Sequence, residues 1–79
     1  MSSMNHSPER VQRARERAGM TQMALAEQVG CGKSLISEIE SGTRNCTPAR
    51  LEKIAQVLGV RTATLASEHY RPRRSEEPA

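Results

Sequence analysis

Apolar residues recur along this chain with the spacing of short helices, and the clearest case lies in its second half. Between Thr47-Pro48 and Gly59, four apolar residues fall at positions i, i+3, i+4 and i+7, on one face of a helix. These residues are Leu51, Ile54, Ala55 and Leu58. A capping hydroxyl followed by proline commonly begins a helix, and glycine commonly ends one. The pattern therefore predicts a helix that buries these four residues.

Three more helices are predicted before it by similar signals, and the capping hydroxyls of the first two are those of Ser7 and Thr21. The first covers about residues 8–18, the second about 22–29, and the third runs from about Lys33 to Glu40. A glycine follows each of them, at Gly19, Gly30 and Gly42. The apolar positions that we expect to face the core are Val11, Ala14, Ala18, Leu25, Ala26, Val29, Ile36 and Ile39.

A short fifth helix is predicted near Thr62–Glu68, with Val60 and Leu65 packing back against the others. The polar ends of the chain are predicted to be disordered, as a leader over residues 1–6 and a tail over 69–79. Residues 7–68 are then expected to form one all-α, compact five-helix bundle. We find no internal repeat and no segment that predicts a strand.

The composition of the chain adds only a few constraints on its fold and its partners. The 79 residues are enough for one small domain, and Tyr70 is the only aromatic residue, so aliphatic side chains and Met must form the core. The formal net charge is +3 and the isoelectric point is about 9.4. This mild basic bias is compatible with a polyanionic partner but does not establish one.

The sequence also indicates where the protein works. It contains no signal-peptide pattern and nothing near the roughly 20 apolar residues of a membrane span. We therefore expect a cytoplasmic protein with no membrane partner, in which Cys31 and Cys46 stay reduced. His6 and His69 are far from both cysteines in sequence. Neither a metal site nor a cofactor is predicted, and the cysteines are expected to fill apolar space beside the third helix.

The segment from Thr21 to Thr47 carries the strongest functional signal. Two short helices joined by the turn Gly30-Cys31-Gly32 are typical of a helix-turn-helix, whose second helix enters the major groove of DNA. The outward side chains of that helix match the chemistry of base edges: an ammonium group for guanine, hydroxyls for either donors or acceptors, and a carboxylate for cytosine. They are Lys33, Ser34, Ser37 and Glu38.

Three residues in this segment can each be interpreted in two ways. Gly32 either forms the turn or serves as a weak helix cap. Leu35 either touches a thymine methyl group or packs on the second helix. Glu38 either accepts from a base or pairs with a neighbouring basic group, since an unpaired carboxylate would repel phosphates.

Taken together, these residues make the sequence resemble the Cro/CI-type (XRE-like) helix-turn-helix family of phage and bacterial regulators. The resemblance covers roughly residues 8–68 and implies a lambda-repressor-like domain that binds DNA, usually as a dimer on operators with two-fold symmetry. The matching positions are MTQ at 20–22, LA at 25–26, Gly30, IS at 36–37, IE at 39–40, Gly42, RN at 44–45 and IA..LGV at 54–60.

The resemblance also assigns roles to residues outside the recognition helix. Thr21 and Gln22 match positions that contact phosphates at the start of the second helix, and Gln22 is also expected to brace Lys33. Arg44 and Asn45 match the loop that contacts the DNA backbone after the third helix. Arg15 and Glu40 match an interhelical ion pair that presents the arginine beside a phosphate.

Two positions depart from the family pattern. Gly32 stands where the family often has Ser or Thr as a cap, and Cys46 stands where proline often follows the RN pair. Both departures affect the approach of the third helix to DNA and not the fold.

The leading interpretation is a sequence-specific regulator of transcription, a phage or mobile-element repressor that binds a double-stranded operator. It is expected to be a monomer or weak homodimer in solution and to pair on DNA. The alternative is a protein-interaction module on the same fold, of the antitoxin or coactivator kind, with a protein partner. An enzyme has little support, because the sequence offers no catalytic constellation and therefore no catalytic residue. The basic YRPRR segment is either an arm that follows DNA or an ordinary solvated tail.

Overall fold

Five helices form the protein in the computed structural model, which describes residues 4–68 and Tyr70. In chain order they are α1 (Pro8–Arg17), α2 (Gln22–Val29), α3 (Lys33–Ser41), α4 (Pro48–Leu58) and α5 (Thr62–Leu65). The all-α five-helix prediction is thus confirmed.

Side-chain caps start three of the helices where the sequence places them. The hydroxyls of Ser7, Thr21 and Thr47 each accept a hydrogen bond from the backbone three residues later, at the start of α1, α2 and α4. Such caps satisfy one of the amide groups that the first helical turn leaves without an intrahelical partner. At the end of α3, Gly42 has φ of 84°, a conformation that side-chain-bearing residues rarely adopt.

The core consists of the apolar faces of these helices. Leu25, Ile36, Ile54 and most other residues predicted to face inward are buried, and Val29 is half-buried against them. Ala18 differs, because it lies at the C-cap of α1 and is exposed. The buried apolar set is Val11, Ala14, Leu25, Ala26, Ile36, Ile39, Cys46, Leu51, Ile54, Ala55, Leu58, Leu65 and Ala66.

The N-terminal segment differs from the prediction of a disordered leader over residues 1–6. Residues 4–6 lie against the domain, and His6 is only 1% exposed. Its Nε2 donates to the carbonyl oxygen of Ile39 at 2.7 Å. Asn5 donates from its side chain to the carbonyl of Cys46 at 3.0 Å. These long-range bonds make residues 4–6 a part of the folded unit; residues 1–3 lie outside the described residues.

The same segment explains why α5 is shorter than predicted. The helix ends at Leu65 instead of continuing to Glu68, because Ala66 turns to an extended conformation and pairs with His6 in an isolated antiparallel bridge. Ser7 N–H donates to the Leu65 carbonyl and Ser67 N–H donates to the Asn5 carbonyl, both at 2.9 Å. The two ends of the domain are therefore joined by backbone hydrogen bonds.

Of the tail predicted over 69–79, only Tyr70 belongs to the described residues, where it packs against the core. His69 and residues 71–79, including most of the basic YRPRR segment, lie outside them. No helix in the described part of the chain combines the length and apolarity needed to cross a bilayer.

Candidate nucleic-acid interface

α2 and α3 are joined by the three-residue turn that the sequence predicts. Gly30 ends α2 with φ of 90°, and its N–H donates to the Ala26 carbonyl at 2.8 Å. Gly32 has extended backbone angles and occupies the N-cap of α3, without a side-chain bond. Gly30 thus reverses the chain, while Gly32 serves as the cap, which settles the two interpretations of that residue.

α3 presents a polar face to solvent and buries the opposite one. Lys33, Ser34 and Ser37 are exposed, whereas Ile36 and Ile39 are completely buried. The exposed side chains can donate and accept hydrogen bonds in the way that base edges require.

Leu35 is half-buried and packs against the core. The structure of the free protein therefore favours the packing interpretation of Leu35 over contact with a thymine methyl group.

A partly buried cluster holds the C-terminal end of α3 against α1 and α2. The carboxylate of Glu40 accepts from Arg15 Nε at 2.6 Å and from an Arg15 terminal nitrogen at 3.1 Å. Gln22 Nε2 donates to the same carboxylate at 3.1 Å, and Arg15 also donates to the Met20 carbonyl at 2.7 Å. We refer to Arg15, Gln22 and Glu40 as the α3 brace.

The α3 brace has little exposure to water. The side chains of Arg15 and Glu40 are 11% and 5% exposed. The hydrogen bond from Arg15 to Glu40 raises the pKa of Arg15, although desolvation opposes that change. Arg15 therefore stays charged, and its charge is compensated mainly by Glu40.

The resemblance assigns Gln22 the role of bracing Lys33, at the start of α3. In the free protein its side-chain hydrogen bond goes to Glu40, at the opposite end of that helix. Neighbouring Thr21 is exposed, and its hydroxyl accepts from Ala24 N–H at 3.0 Å as the cap of α2. The start of α2 is thus fixed beside α3.

Two predicted site residues contact each other on the surface. Arg44 Nε donates to Glu38 Oε1 at 2.6 Å, and the two side chains are 57% and 44% exposed. This pair corresponds to the second interpretation of Glu38, in which it bonds to a neighbouring basic group. Because both partners are solvated, the pair costs little to open.

Asn45 is exposed and organises the loop after α3. Its side-chain oxygen accepts from the backbone N–H groups of Asn5 and Cys46, each at 2.9 Å. Sequence reasoning missed Asn5 and His6, which support this loop and α3 through contacts about 40 and 33 residues away. Polar residues before a helix cap carry no periodic signal that would have identified them.

The cysteines behave as apolar filling. Cys46 is buried, and desolvation raises its pKa to about 11, so it remains a neutral thiol at physiological pH. Cys31 is half-buried and packs on the core. Within residues 4–68 and Tyr70, no three His, Cys, Asp or Glu residues are grouped so that they could hold a metal ion.

Comparison with known proteins agrees with this geometry. A model described as a helix-turn-helix domain matches residues 9–68, which is most of the chain. The chain belongs to the XRE-like helix-turn-helix family. No curated protein sequence matches the chain.

Solved structures extend the comparison. The restriction-modification controller protein C.AhdI from Aeromonas hydrophila is 26% identical, with a TM-score of 0.70 over 72% of this chain and 83% of that one. SinR, a master regulator for biofilm formation, was solved in complex with DNA. It is 34% identical, with a TM-score of 0.69 over 73% of this chain and 97% of that one. The N-terminal DNA-binding domain of SinR, from Bacillus subtilis, matches at the same identity.

A third match is to a larger protein. HppE in its Fe(II) form, in complex with substrate, is 30% identical, with a TM-score of 0.70 over 76% of this chain. This chain spans about a third of HppE, since only 35% of that chain is covered. The fold is therefore shared between regulators and one part of an iron-containing protein.

The two ion pairs of α3 are predicted to respond to truncation by very different amounts. Glu40→Ala should lower the free energy of unfolding by about 3–5 kcal/mol, because it leaves the Arg15 charge buried without compensation. Glu38→Ala removes an equally short but exposed contact and should change the free energy of unfolding by less than about 1 kcal/mol. Urea unfolding followed by circular dichroism measures both. Equal effects of the two substitutions would show that the α3 brace does not support the helix.

Proposed function

We propose that this protein is a regulator of transcription that recognises a specific double-stranded DNA sequence, and that it acts in the cytoplasm as a repressor of the phage or mobile-element kind. The observation that carries this proposal is the exposed polar face of α3. That face lies on a helix whose other side is buried and whose C-terminal end is held by the α3 brace. A helix fixed in this way can enter the major groove without first becoming ordered.

The proposed base contacts come from α3. Lys33 lies at the first position of α3, where recognition helices meet base edges, and donates to guanine. Ser34 and Ser37 donate to or accept from neighbouring bases. Glu38 contributes only after it separates from Arg44, and it then accepts from the amino group of cytosine.

The proposed phosphate contacts surround that helix. Thr21 and Gln22 approach one strand from the N-terminal end of α2, where exposed amide groups attract anions. Arg44, once released from Glu38, and Asn45 contact the backbone from the loop after α3. Arg15 has three nitrogen contacts already committed to Glu40 and Met20, so its main contribution to binding is to position α3.

Similarity to known regulators supports this assignment. SinR was solved with DNA bound, and C.AhdI is described as a controller protein. The match to part of HppE does not favour catalysis here, because it covers about a third of that chain. We therefore infer that this domain binds and does not catalyse.

Pairing on DNA follows from the small size of the recognition surface. One nine-residue helix reaches only a few base pairs, so a single domain binds weakly. We propose that the protein is a monomer or weak dimer in solution and that two copies occupy the halves of an operator with two-fold symmetry.

Substitutions at Lys33 and Arg44 separate reading of bases from attraction to phosphates. Lys33→Ala should cost about 1–3 kcal/mol on the preferred site and relax the sequence preference at one base pair. Arg44→Ala should weaken binding to all sequences similarly and reduce the salt dependence by about one unit of slope. Selection of bound sequences from random DNA, combined with salt titrations, measures both effects. An unchanged preference profile in Lys33→Ala would contradict base reading by that residue.

The spacing of half-sites tests the paired arrangement. Two recognition helices on one DNA face lie roughly 34 Å apart, one helical turn. Insertion of about five base pairs between the half-sites places them on opposite faces and should abolish cooperative binding in gel-shift titrations. Insertion of about ten base pairs is the matched control, because it restores the common face. Identical affinity and stoichiometry on all three operators would eliminate the paired model.

A further inference from the structure

A groove with a volume of about 390 Å³ lies between α1 and the α4–α5 region. Its apolar lining includes Ala14 from α1, Leu58 from the end of α4 and Val60 from the following turn. We refer to it as the α1–α5 groove. Its size is within the range in which protein cavities accommodate small molecules or a few side chains of a partner.

Three arginines line the α1–α5 groove along α1. Arg10, Arg13 and Arg17 are spaced by three and four residues, which places them in one row on the helix surface. All three are exposed. The ion pairs of the described residues involve Arg15 and Arg44 and not these three arginines, although Glu9 and Glu16 lie beside the row on the same helix.

The arginine row lies on the other side of α1 from the α3 brace. At 100° per residue, Arg15 is separated from Arg10 and Arg17 by about 140° to 160° around the helix, with the buried stripe of Val11 and Ala14 between them. Arg15 bonds to Glu40 of α3, whereas the row borders residues of α4 and α5. The α1–α5 groove and the contact with α3 are therefore on different sides of α1.

We propose that the α1–α5 groove is a docking site for an acidic amphipathic helix of a partner protein. Apolar side chains of that helix would enter the groove between α1 and Val60, and its carboxylates would pair with the arginine row. A helical partner suits the site because the arginine row of α1 extends about 10 Å along the helix axis, or about two helical turns.

Charge complementarity selects this occupant over the alternatives. A second copy placed on the same face by two-fold symmetry would bring its own arginine row against the first, and like charges disfavour that contact. A nucleic acid would satisfy the arginines but could not fill an apolar lining. The site is small compared with stable interfaces, so we expect micromolar, reversible binding.

The first arm of the test measures binding of a defined peptide to the full chain without DNA. The probe is a fluorescein-labelled amphipathic helix with Leu at i, i+3, i+4 and i+7 and Glu on both sides of that stripe. Its control has the same composition in scrambled order. Fluorescence anisotropy should give micromolar binding for the probe and at least about tenfold weaker binding for the scrambled peptide. Amide chemical-shift changes should cluster in residues 10–18 and 58–64.

The second arm uses matched charge reversals. Arg13→Glu should weaken binding of the probe by about tenfold or more, because it replaces an attractive charge in the row with a repulsive one. Lys53→Glu changes net charge by the same amount at an exposed position of α4 outside the groove, and it should change probe affinity by less than about threefold. Both variants should keep the parent's melting curve and its DNA sequence preference.

Three results would overturn the proposal. They are absence of probe binding, binding of the scrambled peptide as tight as that of the probe, and equal losses of probe affinity in Arg13→Glu and Lys53→Glu. If Glu76→Gln with Glu77→Gln in the full chain raised probe affinity by more than about tenfold, the occupant would be the acidic end of this chain's own tail and not a partner. If the protein proved not to bind DNA, the results of these peptide experiments would still stand, since the experiments contain no DNA.

Discussion

The ion pair between Arg15 and Glu40, which has little exposure to water, determines where α3 lies. α3 has nine residues and a glycine N-cap with no side-chain bond, so its own local interactions stabilise it only weakly. Its position depends on the burial of Ile36 and Ile39 and on the contact of Glu40 with α1 and α2. Because either charge alone would be costly in this environment, the contact forms as a unit and fixes three helices together.

The end of α3 is also held from the opposite direction. His6 donates to the Ile39 carbonyl, one residue before Glu40, and Asn5 bonds to the loop that follows α3. The helix and its loop are therefore ordered before any ligand arrives, which reduces the entropy lost on binding. The exposed Glu38–Arg44 contact differs, since both of its side chains are solvated and little free energy is needed to open it. The molecule thus combines a helix held by long-range contacts with an exposed ion pair beside it.

Local signals allowed most of the fold to be predicted. Ser7, Thr21 and Thr47 cap helices in the structure as they were expected to, and the period of Leu51 to Leu58 correctly identified the buried face of α4. His6 could not be assigned in this way, because its partner is 33 residues distant and no pattern in the sequence marks the pairing. The extended conformation of Ala66, which shortens α5, depends on the same segment. The spacing of Arg10, Arg13 and Arg17 follows from the sequence, but only the packing of α4 and α5 beside them creates a groove.

The candidate site was predictable to a similar degree. The polar face of α3 follows from helical spacing, and the contact between Arg15 and Glu40 was expected from the family resemblance. The bond from Gln22 to Glu40 was not expected, because the choice among nearby acceptors depends on side-chain packing. Spacing alone could not decide between the two interpretations of Leu35, since this residue lies at the border between the buried and exposed faces of α3.

The central claim is that the exposed face of α3 enters the major groove. Intermolecular nuclear Overhauser effects in an isotope-labelled complex with the selected DNA test it most directly. We predict contacts from Lys33, Ser34 and Ser37 to cytosine H5 and thymine methyl protons, which lie in the major groove, and none from Arg13. Contacts from α1 to the DNA, with none from α3, would contradict this account of the protein.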